Sequence, residues 1–151
     1  MSVSIDIFHL LSETAEREKR QRREKMLTPI GVKEFFIDGS ISINMRTCRG
    51  VDCKLCIKVC PTNALFWRAG EVGIIEDLCI YCGACVLSCI VDDCIRVVRK
   101  RANGEVESFS TPRDFIMLQN CINAKKRFKR VEDLFPKPKD YLSRYKPAMV
   151  P

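Results

Sequence analysis

The 151-residue chain has very little histidine, and it lacks the glycine-rich loops and long apolar runs that mark several common classes of protein. Its single histidine is His9, so the chain cannot form a metal site that needs two imidazoles. We also expect no histidine to act as a general base. No Gly-x-x-x-x-Gly-Lys or Gly-x-Gly-x-x-Gly loop is present to cradle a nucleotide phosphate. The apolar runs are only a few residues long, whereas a membrane-spanning helix needs roughly 18. We therefore expect no catalytic residue and no membrane span.

Cysteine, by contrast, is abundant, and eight of the ten cysteines fall in two tight groups. The first group is Cys48, Cys53, Cys56 and Cys60, and the second is Cys79, Cys82, Cys85 and Cys89. The N-terminus has neither the basic start nor the cleavage site of a secretory signal, so we expect a reducing, cytoplasmic location without disulfides. Cysteines this close in sequence suit a metal centre better than they suit pairing with one another.

The two cysteine groups form an internal repeat, in which the last three cysteines of the first group recur 29 residues later. A cuboidal iron–sulfur cluster has four iron corners, and each corner needs one thiolate. Three close cysteines occupy three corners, so the fourth thiolate comes from the last cysteine of the other group. The hypothesis is two [4Fe–4S] clusters. Cluster one is held by Cys48, Cys53, Cys56 and Cys89, and cluster two by Cys79, Cys82, Cys85 and Cys60.

Zinc is the alternative occupant of such a cysteine set. Zinc knuckles usually present two pairs of ligands separated by a spacer, often with histidine. Each group here has a third cysteine close behind the first two, and His9 lies far from both groups in sequence. The pattern therefore favours iron–sulfur clusters over zinc.

Residues 39–110 resemble the bacterial-type two-[4Fe–4S] ferredoxin family, and the resemblance is carried by the runs Cys53–Leu65 and Cys79–Cys85. It implies an α+β fold with a dicluster, pseudo-twofold core of short helices and β-hairpins, and it implies one-electron transfer. With its N- and C-terminal extensions, the chain looks like an iron–sulfur subunit of an oxidoreductase complex.

The chain departs from the family pattern at three places around the clusters. Two extra residues lie between Cys48 and Cys53, and Ile90 replaces the proline expected after the second group. Lys54 stands where the second copy has Gly83. A lysine there adds a cation at the edge of cluster one, which favours the reduced, more negative cluster.

Two cysteines lie outside the groups, and neither is predicted to be a ligand. Cys94 stands where the first copy has Ala64, if one residue is inserted after the second group. Free cysteine packs like a small apolar residue, so Cys94 and Cys121 are both interpreted as packing residues.

The patterns around the cysteines predict short elements in each copy. Helices are predicted over Lys54–Cys60 and Gly83–Cys89, hairpins over Leu65–Ile75 and Ile95–Phe109, and an opening strand over Ile41–Met45. Thr111 and Pro112 begin a further helix with an apolar stripe at Phe115, Leu118, Ile122 and Phe128. Before the cysteines, residues 12–25 read as a charged helix with little to bury.

We predict three regions: a charged helical extension at 1–38, the ferredoxin-like domain at 39–110, and a basic helix with an extended, proline-containing tail at 111–151. Residues 96–130 carry ten basic and three acidic side chains, which equals the whole net charge of +7. Such a segment is a solvated face, a dock for an acidic protein or a site for nucleic acid. Because the flanks bury little, we expect that removal of residues 1–28 or 131–151 leaves both clusters assembled but detaches the chain from its partner.

The leading interpretation is an electron-transfer subunit attached to a catalytic oxidoreductase subunit, because long flanks with apolar stripes and prolines favour anchoring on a partner. One alternative is a free, extended ferredoxin that shuttles electrons between enzymes. A second alternative is an iron–sulfur module associated with nucleic acid or the ribosome. Few aromatic residues are interleaved with the basic ones, which makes nucleic acid the least favoured partner.

Overall fold

The computed structural model describes residues 6–144 as two compact units, the first ending at Pro112 and the second beginning at Arg113. The helices are α1 (Ile7–Leu27), α2 (Leu55–Val59), α3 (Ala84–Ser88), α4 (Pro112–Leu134) and α5 (Pro138–Arg144). The strands are β1 (Phe36–Ile43), β2 (Leu65–Arg68), β3 (Glu71–Ile74), β4 (Ile95–Arg101) and β5 (Val106–Phe109). The mixture of helix and antiparallel sheet agrees with the predicted α+β class.

Both predicted hairpins are present. β2 pairs with β3, and β4 pairs with β5 around a turn at Asn103–Gly104, where the Arg101 N–H donates to the Glu105 carbonyl at 2.9 Å. The opening strand β1 completes an antiparallel sheet of order β1–β4–β5. It begins at Phe36 and ends at Ile43, rather than running over Ile41–Met45, because β4 offers a partner along its whole length.

The interior of the first unit lies where β4 meets the short helices. Ile95 and Val97 are 1% and 0% exposed and alternate along β4, and Val86 of α3 and Leu65 of β2 are also buried. The short helices are placed by their neighbours: α2 contacts α3 and β2, and α3 contacts β4. These contacts fix the positions of the two short helices, each of which follows a cysteine loop.

Helix α1 is capped by Asp6, whose carboxylate accepts from the Phe8 N–H at 3.1 Å. Most of the helix is exposed, as its charge pattern predicts, but Arg23 and Leu27 are buried at 6% and 2% exposure. The C-terminal end of α1 packs on the short turn at Glu76–Leu78, which leads into the second cysteine group. The expectation that this helix buries little is therefore wrong at its C-terminal end.

The second unit contains most of α4 and all of α5. The predicted extended tail is therefore wrong over Pro138–Arg144, which is helical, and the rest of that prediction, from residue 145 on, lies outside the described residues. On α4, Phe115, Leu118 and Ile122 are half-buried, but Phe128 is 66% exposed, so the predicted stripe covers only the first half of the helix. The basic run from Lys125 to Arg130 is exposed throughout. Within residues 6–144, no helix combines the length and the hydropathy needed to cross a bilayer.

Candidate metal centre

Each cysteine group enters its short helix through a residue in the left-handed conformation. Lys54 precedes α2 with φ 48°, and Gly83 precedes α3 with φ 86°. Glycine adopts this conformation without steric cost, whereas an L-residue such as Lys54 loses about 1 kcal/mol or more. The repeat therefore preserves the backbone path of the loop even where the side chain disfavours it. Part of the cost at Lys54 is offset because its Nζ lies 5.3 Å from the Trp67 ring centre.

The longer first loop absorbs its two extra residues in a short 3-10 turn, Gly50–Asp52, which Gly50 enters with φ 67°. The Gly50 N–H donates to the Cys48 sulfur at 3.4 Å, and the Cys53 N–H donates to the Gly50 carbonyl at 3.2 Å. Cys48 therefore still reaches the same cavity as the other cysteines of its group, in spite of the insertion.

Cavity one is a space of about 390 Å³ between protein atoms, part of it open to solvent. The thiols that line it are Cys48, Cys53, Cys56, Cys89 and Cys94. The first four are the set predicted for cluster one, and Cys89 reaches the cavity from the far end of α3. The remaining wall is mainly apolar and includes Ile43, Val72 and Ile95.

Cavity two is a similar space of about 350 Å³. The thiols that line it are Cys60, Cys79, Cys82 and Cys85, the set predicted for cluster two. Cys60 arrives from the end of α2, as Cys89 does from the end of α3. Ala64, which is 0% exposed, lines this cavity at the position that Cys94 takes in cavity one.

Backbone N–H groups reach several of these sulfurs. The Ala64 N–H donates to Cys60 at 3.3 Å, and the N–H groups of Ile57, Tyr81 and Val86 donate to Cys56, Cys79 and Cys85 respectively. Donors of this kind stabilise a thiolate and favour a ligand that carries negative charge. The peptide backbone of each loop is thus arranged for anionic sulfur.

Burial opposes ionisation of the same thiols in the absence of metal. It raises the pKa of Cys56 and Cys79 above the usual range, and burial together with the neighbouring Cys82 and Cys79 raises the pKa of Cys85 to about 12. A thiol must lose its proton to become a ligand. Metal loading at these positions therefore releases protons at neutral pH.

Cys94 is packed, as predicted, since it is 2% exposed and its thiol faces the Asn44 carbonyl at 3.7 Å. Burial, opposed in part by a hydrogen bond from Thr47, raises its pKa to about 11. It nevertheless lines cavity one, which the sequence interpretation did not anticipate. Cys121 lies on the exposed surface of α4, so its interpretation as a packing residue is wrong.

Two buried arginines contact the backbone of the loop that lines cavity two, and sequence reasoning missed both. Arg23 of α1 donates to the Cys79 carbonyl, and Arg99 of β4 donates to the Tyr81 carbonyl. Arg99 occupies an inward position of the alternation along β4, two residues after Val97, opposite Glu107 of β5. That alternation was the available signal in the sequence.

The donor chemistry at both cavities fits an iron–sulfur cluster, because the four thiols predicted for each cluster line one cavity with mainly apolar walls. Within residues 6–144, no three histidine, cysteine, aspartate or glutamate side chains converge on one point as ligands of a single ion. The thiols instead line the walls of the two cavities.

No protein-family model matches the chain, but parts of it are similar to curated proteins. Over 59 residues it is 32% identical to a tetrathionate reductase subunit of Archaeoglobus fulgidus, covering 38% of this chain and 28% of that protein. Over 36 residues it is 53% identical to the polyferredoxin-like subunit of an aliphatic sulfonate oxidoreductase of Pyrococcus furiosus, covering 22% of this chain and 21% of that protein. Over 49 residues it is 41% identical to an uncharacterized ferredoxin of Methanocaldococcus jannaschii, covering 32% of this chain and 28% of that protein.

Among solved structures, the chain is similar to part of a formate dehydrogenase–heterodisulfide reductase–formylmethanofuran dehydrogenase complex from Methanospirillum hungatei. The similarity has a TM-score of 0.40 and 30% identity, and it covers 50% of this chain and 26% of that chain.

These relatives confirm the predicted resemblance to ferredoxin-type iron–sulfur proteins. The particular relatives are named as a reductase subunit, a polyferredoxin-like subunit and a ferredoxin. The chain spans between 21% and 28% of their lengths.

Proposed function

We propose that this chain binds two [4Fe–4S] clusters and relays single electrons as a subunit of a larger oxidoreductase. The observation that carries the proposal is the pair of cavities, each lined by three thiols of one cysteine group and the last thiol of the other, with Cys94 as a fifth thiol in cavity one. The names of the relatives support the class of function, because ferredoxins carry electrons and two of the relatives are subunits of a reductase and of an oxidoreductase.

In this proposal, the residues that would hold the clusters divide between the two cavities. Cluster one would be held by Cys48, Cys53, Cys56 and Cys89, and cluster two by Cys79, Cys82, Cys85 and Cys60. When bound, each cluster supplies a centre that accepts and releases one electron. The chain's own part is to exclude water with apolar walls, to orient the thiols from two short helices and to place backbone N–H groups against the sulfurs.

A pseudo-twofold relation between the two halves is part of the proposal. It is supported by the repeated succession of a left-handed residue, a five-residue helix and a final cysteine, Lys54–Cys60 in one half and Gly83–Cys89 in the other. A β-hairpin follows in each half. In each half the final cysteine leaves its own loop and lines the other cavity.

The first test concerns the metal. Protein purified without oxygen is expected to be brown and to contain about eight iron atoms and eight acid-labile sulfides per chain. Stoichiometric zinc without sulfide would contradict the proposal.

The second test concerns the ligands of cluster one and uses two cysteines that line the same cavity. Cys89→Ala is expected to lose one cluster, about half of the iron, because it removes a thiolate that the cluster needs. Cys94→Ala is the matched control and is expected to retain both clusters, because Ala64 already stands at the equivalent position of cavity two. Loss of iron from Cys94→Ala with none from Cys89→Ala would reverse the assignment.

The proposed partner is a catalytic oxidoreductase subunit, and the alternative is a free carrier. A permanent subunit remains with its partner on a sizing column after a salt wash, because a hydrophobic interface is not screened by salt. Elution of the native protein as a lone monomer would favour the free carrier. Nucleic acid is a weaker candidate, because few aromatic residues are interleaved with the ten basic residues of 96–130 and one of the ten, Arg99, is buried.

A further inference from the structure

The loop that carries the second cysteine group is held from outside by two buried arginines. Arg23 comes from α1 and Arg99 from β4, and they are 6% and 2% exposed. Among the residues that the structure describes, 6–144, these are the buried arginines, and both contact the backbone of the same loop. Two charged side chains that converge on one loop from distant elements need an explanation beyond packing, because burying each guanidinium is costly.

Arg23 binds the start of the loop. Its Nη1 donates to the Glu76 carbonyl at 2.6 Å, and its Nη2 donates to the Cys79 carbonyl at 2.7 Å. Its Nε donates to the Glu34 carboxylate at 2.6 Å, so the guanidinium is paired as well as hydrogen-bonded. One side chain of α1 thereby fixes two peptide groups of the loop and the angle between them.

Arg99 binds the end of the loop. Its Nη1 donates to the Tyr81 carbonyl at 2.9 Å and, more weakly, to the Cys82 carbonyl at 3.5 Å. Its Nε donates to Glu107 on the neighbouring strand at 2.7 Å. The carbonyls of three loop residues, Cys79, Tyr81 and Cys82, are therefore directed towards the arginines, neither of which lines cavity two.

Tyr81 stands between the two arginines in a strained conformation. Its φ is 55°, which is costly for a residue with a bulky side chain. The Arg23 guanidinium lies 5.2 Å from the centre of its ring, and the ring packs so closely on Gly39 that a Cβ there would lie 2.7 Å away. Strain of this kind persists only where the surroundings over-determine the conformation.

The direction of these carbonyls fixes the direction of the N–H groups that follow them. A trans peptide places its N–H opposite its C=O, and the described chain has no cis peptide. With the Cys79, Tyr81 and Cys82 carbonyls turned towards the arginines, the N–H groups of Ile80, Cys82 and Gly83 point to the opposite side of the loop. Those three residues line cavity two. The Tyr81 N–H donates to the Cys79 sulfur. N–H groups directed at cluster sulfurs stabilise the more negative, reduced cluster and raise its reduction potential.

We infer that Arg23 and Arg99 are positioning residues for cluster two: they hold the Cys79–Cys82 loop with its N–H groups facing the cluster and so raise its reduction potential. This inference rests on the proposed function, because it requires a cluster in cavity two. The effect is geometric rather than a matter of net charge, because Glu34 and Glu107 offset the guanidinium charges. A lysine would keep the charge but lose the planar fork that binds two carbonyls at once.

The test is a redox titration of the fully loaded protein, followed by electron paramagnetic resonance, with two one-electron steps resolved. Arg23→Lys and Arg23→Gln are both expected to shift one step to lower potential. The expected size is about tenfold in the ratio of reduced to oxidised cluster, or about 59 mV for a one-electron couple. The same step should be the one that is lost in Cys85→Ala.

Arg22→Gln is the matched control. Arg22 is adjacent on α1, its side chain is 61% exposed, and it pairs with Asp77 of the same turn at 3.5 Å. The Arg22→Gln substitution removes the same charge from the same helix without removing a contact to a carbonyl. Both one-electron steps should therefore keep their wild-type potentials. Arg99→Lys should act like Arg23→Lys. Arg99 is the more buried of the two arginines, so Arg99→Lys could fail to fold, and the Arg23 variants then decide the test of the positioning role. These variants should fold, because Glu34, the partner of Arg23, is 32% exposed and remains solvated when the arginine is removed.

The outcomes separate the inference from the function on which it rests. A wild-type protein with no two-step titration refutes the proposed function. Two steps that stay in place in Arg23→Lys, or that move equally, overturn the positioning role. A shift in Arg23→Gln but not in Arg23→Lys also overturns it, because charge alone would then account for the potential.

Discussion

Leu27 provides the sharpest test of whether α1 is part of the cluster-bearing unit or a detachable appendage. The side chain is 2% exposed at the C-terminal end of the helix, four residues after the buried Arg23. Leu→Ala substitutions at buried positions cost about 2–5 kcal/mol, from lost transfer free energy and the cavity left behind. We expect about 3 kcal/mol for Leu27→Ala, because the site is fully enclosed but lies at the end of its element.

The assay is the rate at which the visible absorbance of the clusters is lost in a fixed concentration of urea without oxygen. A rate is preferred to an equilibrium midpoint, because unfolding of a cluster-containing protein is not a two-state process. If half of the destabilisation appears in the unfolding rate, clusters should be lost about tenfold faster. Leu11→Ala is the control on the same helix, with 60% exposure, and should change the rate less than about twofold. Equal rates for the two variants would restore the view that α1 buries nothing of importance.

Three further predictions concern the loop, the sheet and the N-terminal flank. Gly39→Ala places a Cβ 2.7 Å from the Tyr81 ring and 2.8 Å from the Val98 carbonyl, so the variant should lose iron from cluster two. Ser40→Ala is the control, because Ser40 is the exposed neighbour of Gly39, and it should load both clusters fully. Burial would raise the pKa of Glu107, but hydrogen bonds from Arg101 and Arg99 outweigh burial and lower it. Glu107 therefore stabilises the fold above its unfolded pKa of about 4.3, and this contribution is lost as pH falls through the lower folded pKa. The measurement is the rate of unfolding in urea, followed by circular dichroism on apoprotein. Glu107→Gln should unfold faster than wild type at pH 7, and the difference between the two rates should shrink below about pH 4. A difference in rate that does not change with pH would contradict the ion-pair account. Deletion of residues 1–28 should reduce iron at cluster two, because it removes Arg23 and Leu27, and full loading of the truncated chain would show the sequence-based expectation to have been correct.

Local patterns accounted for most of the cysteine-bearing unit. The hairpins were predictable because β-branched runs and the Asn103–Gly104 turn act over a few residues. The short helices followed from the repeat, and the four thiols predicted for each cluster line one cavity, with Cys94 in addition at cavity one. The hairpins and short helices depend on interactions between residues that are near in sequence. The predicted ligand sets depend on the four iron corners of a cluster, each of which needs one thiolate.

Long-range contacts decided what the sequence could not supply. Arg23 lies in a run of charged residues that reads as a solvated helix, and only the fold brings it to a carbonyl 56 residues away. Arg99 belongs to a segment whose ten basic side chains look alike in sequence, although its neighbour Lys100 is exposed. Charged residues are seldom buried unless they are paired, and the pairing with Glu107 depends on the register of β4 against β5.

The crossing of the two cysteine groups also has a consequence for the order of events during synthesis. Cavity one lacks its fourth thiol until Cys89 has been added, and both cavities take a wall residue from β4, Ile95 for one and Val97 for the other. A nascent chain that has exposed only the first cysteine group holds three thiols of one site and one of the next. Cavity one therefore lacks a wall residue until Ile95 has been added, and cavity two until Val97 has been added, both in the first half of β4. Under the proposed function, any machinery that delivers iron and sulfide meets both sites at nearly the same moment.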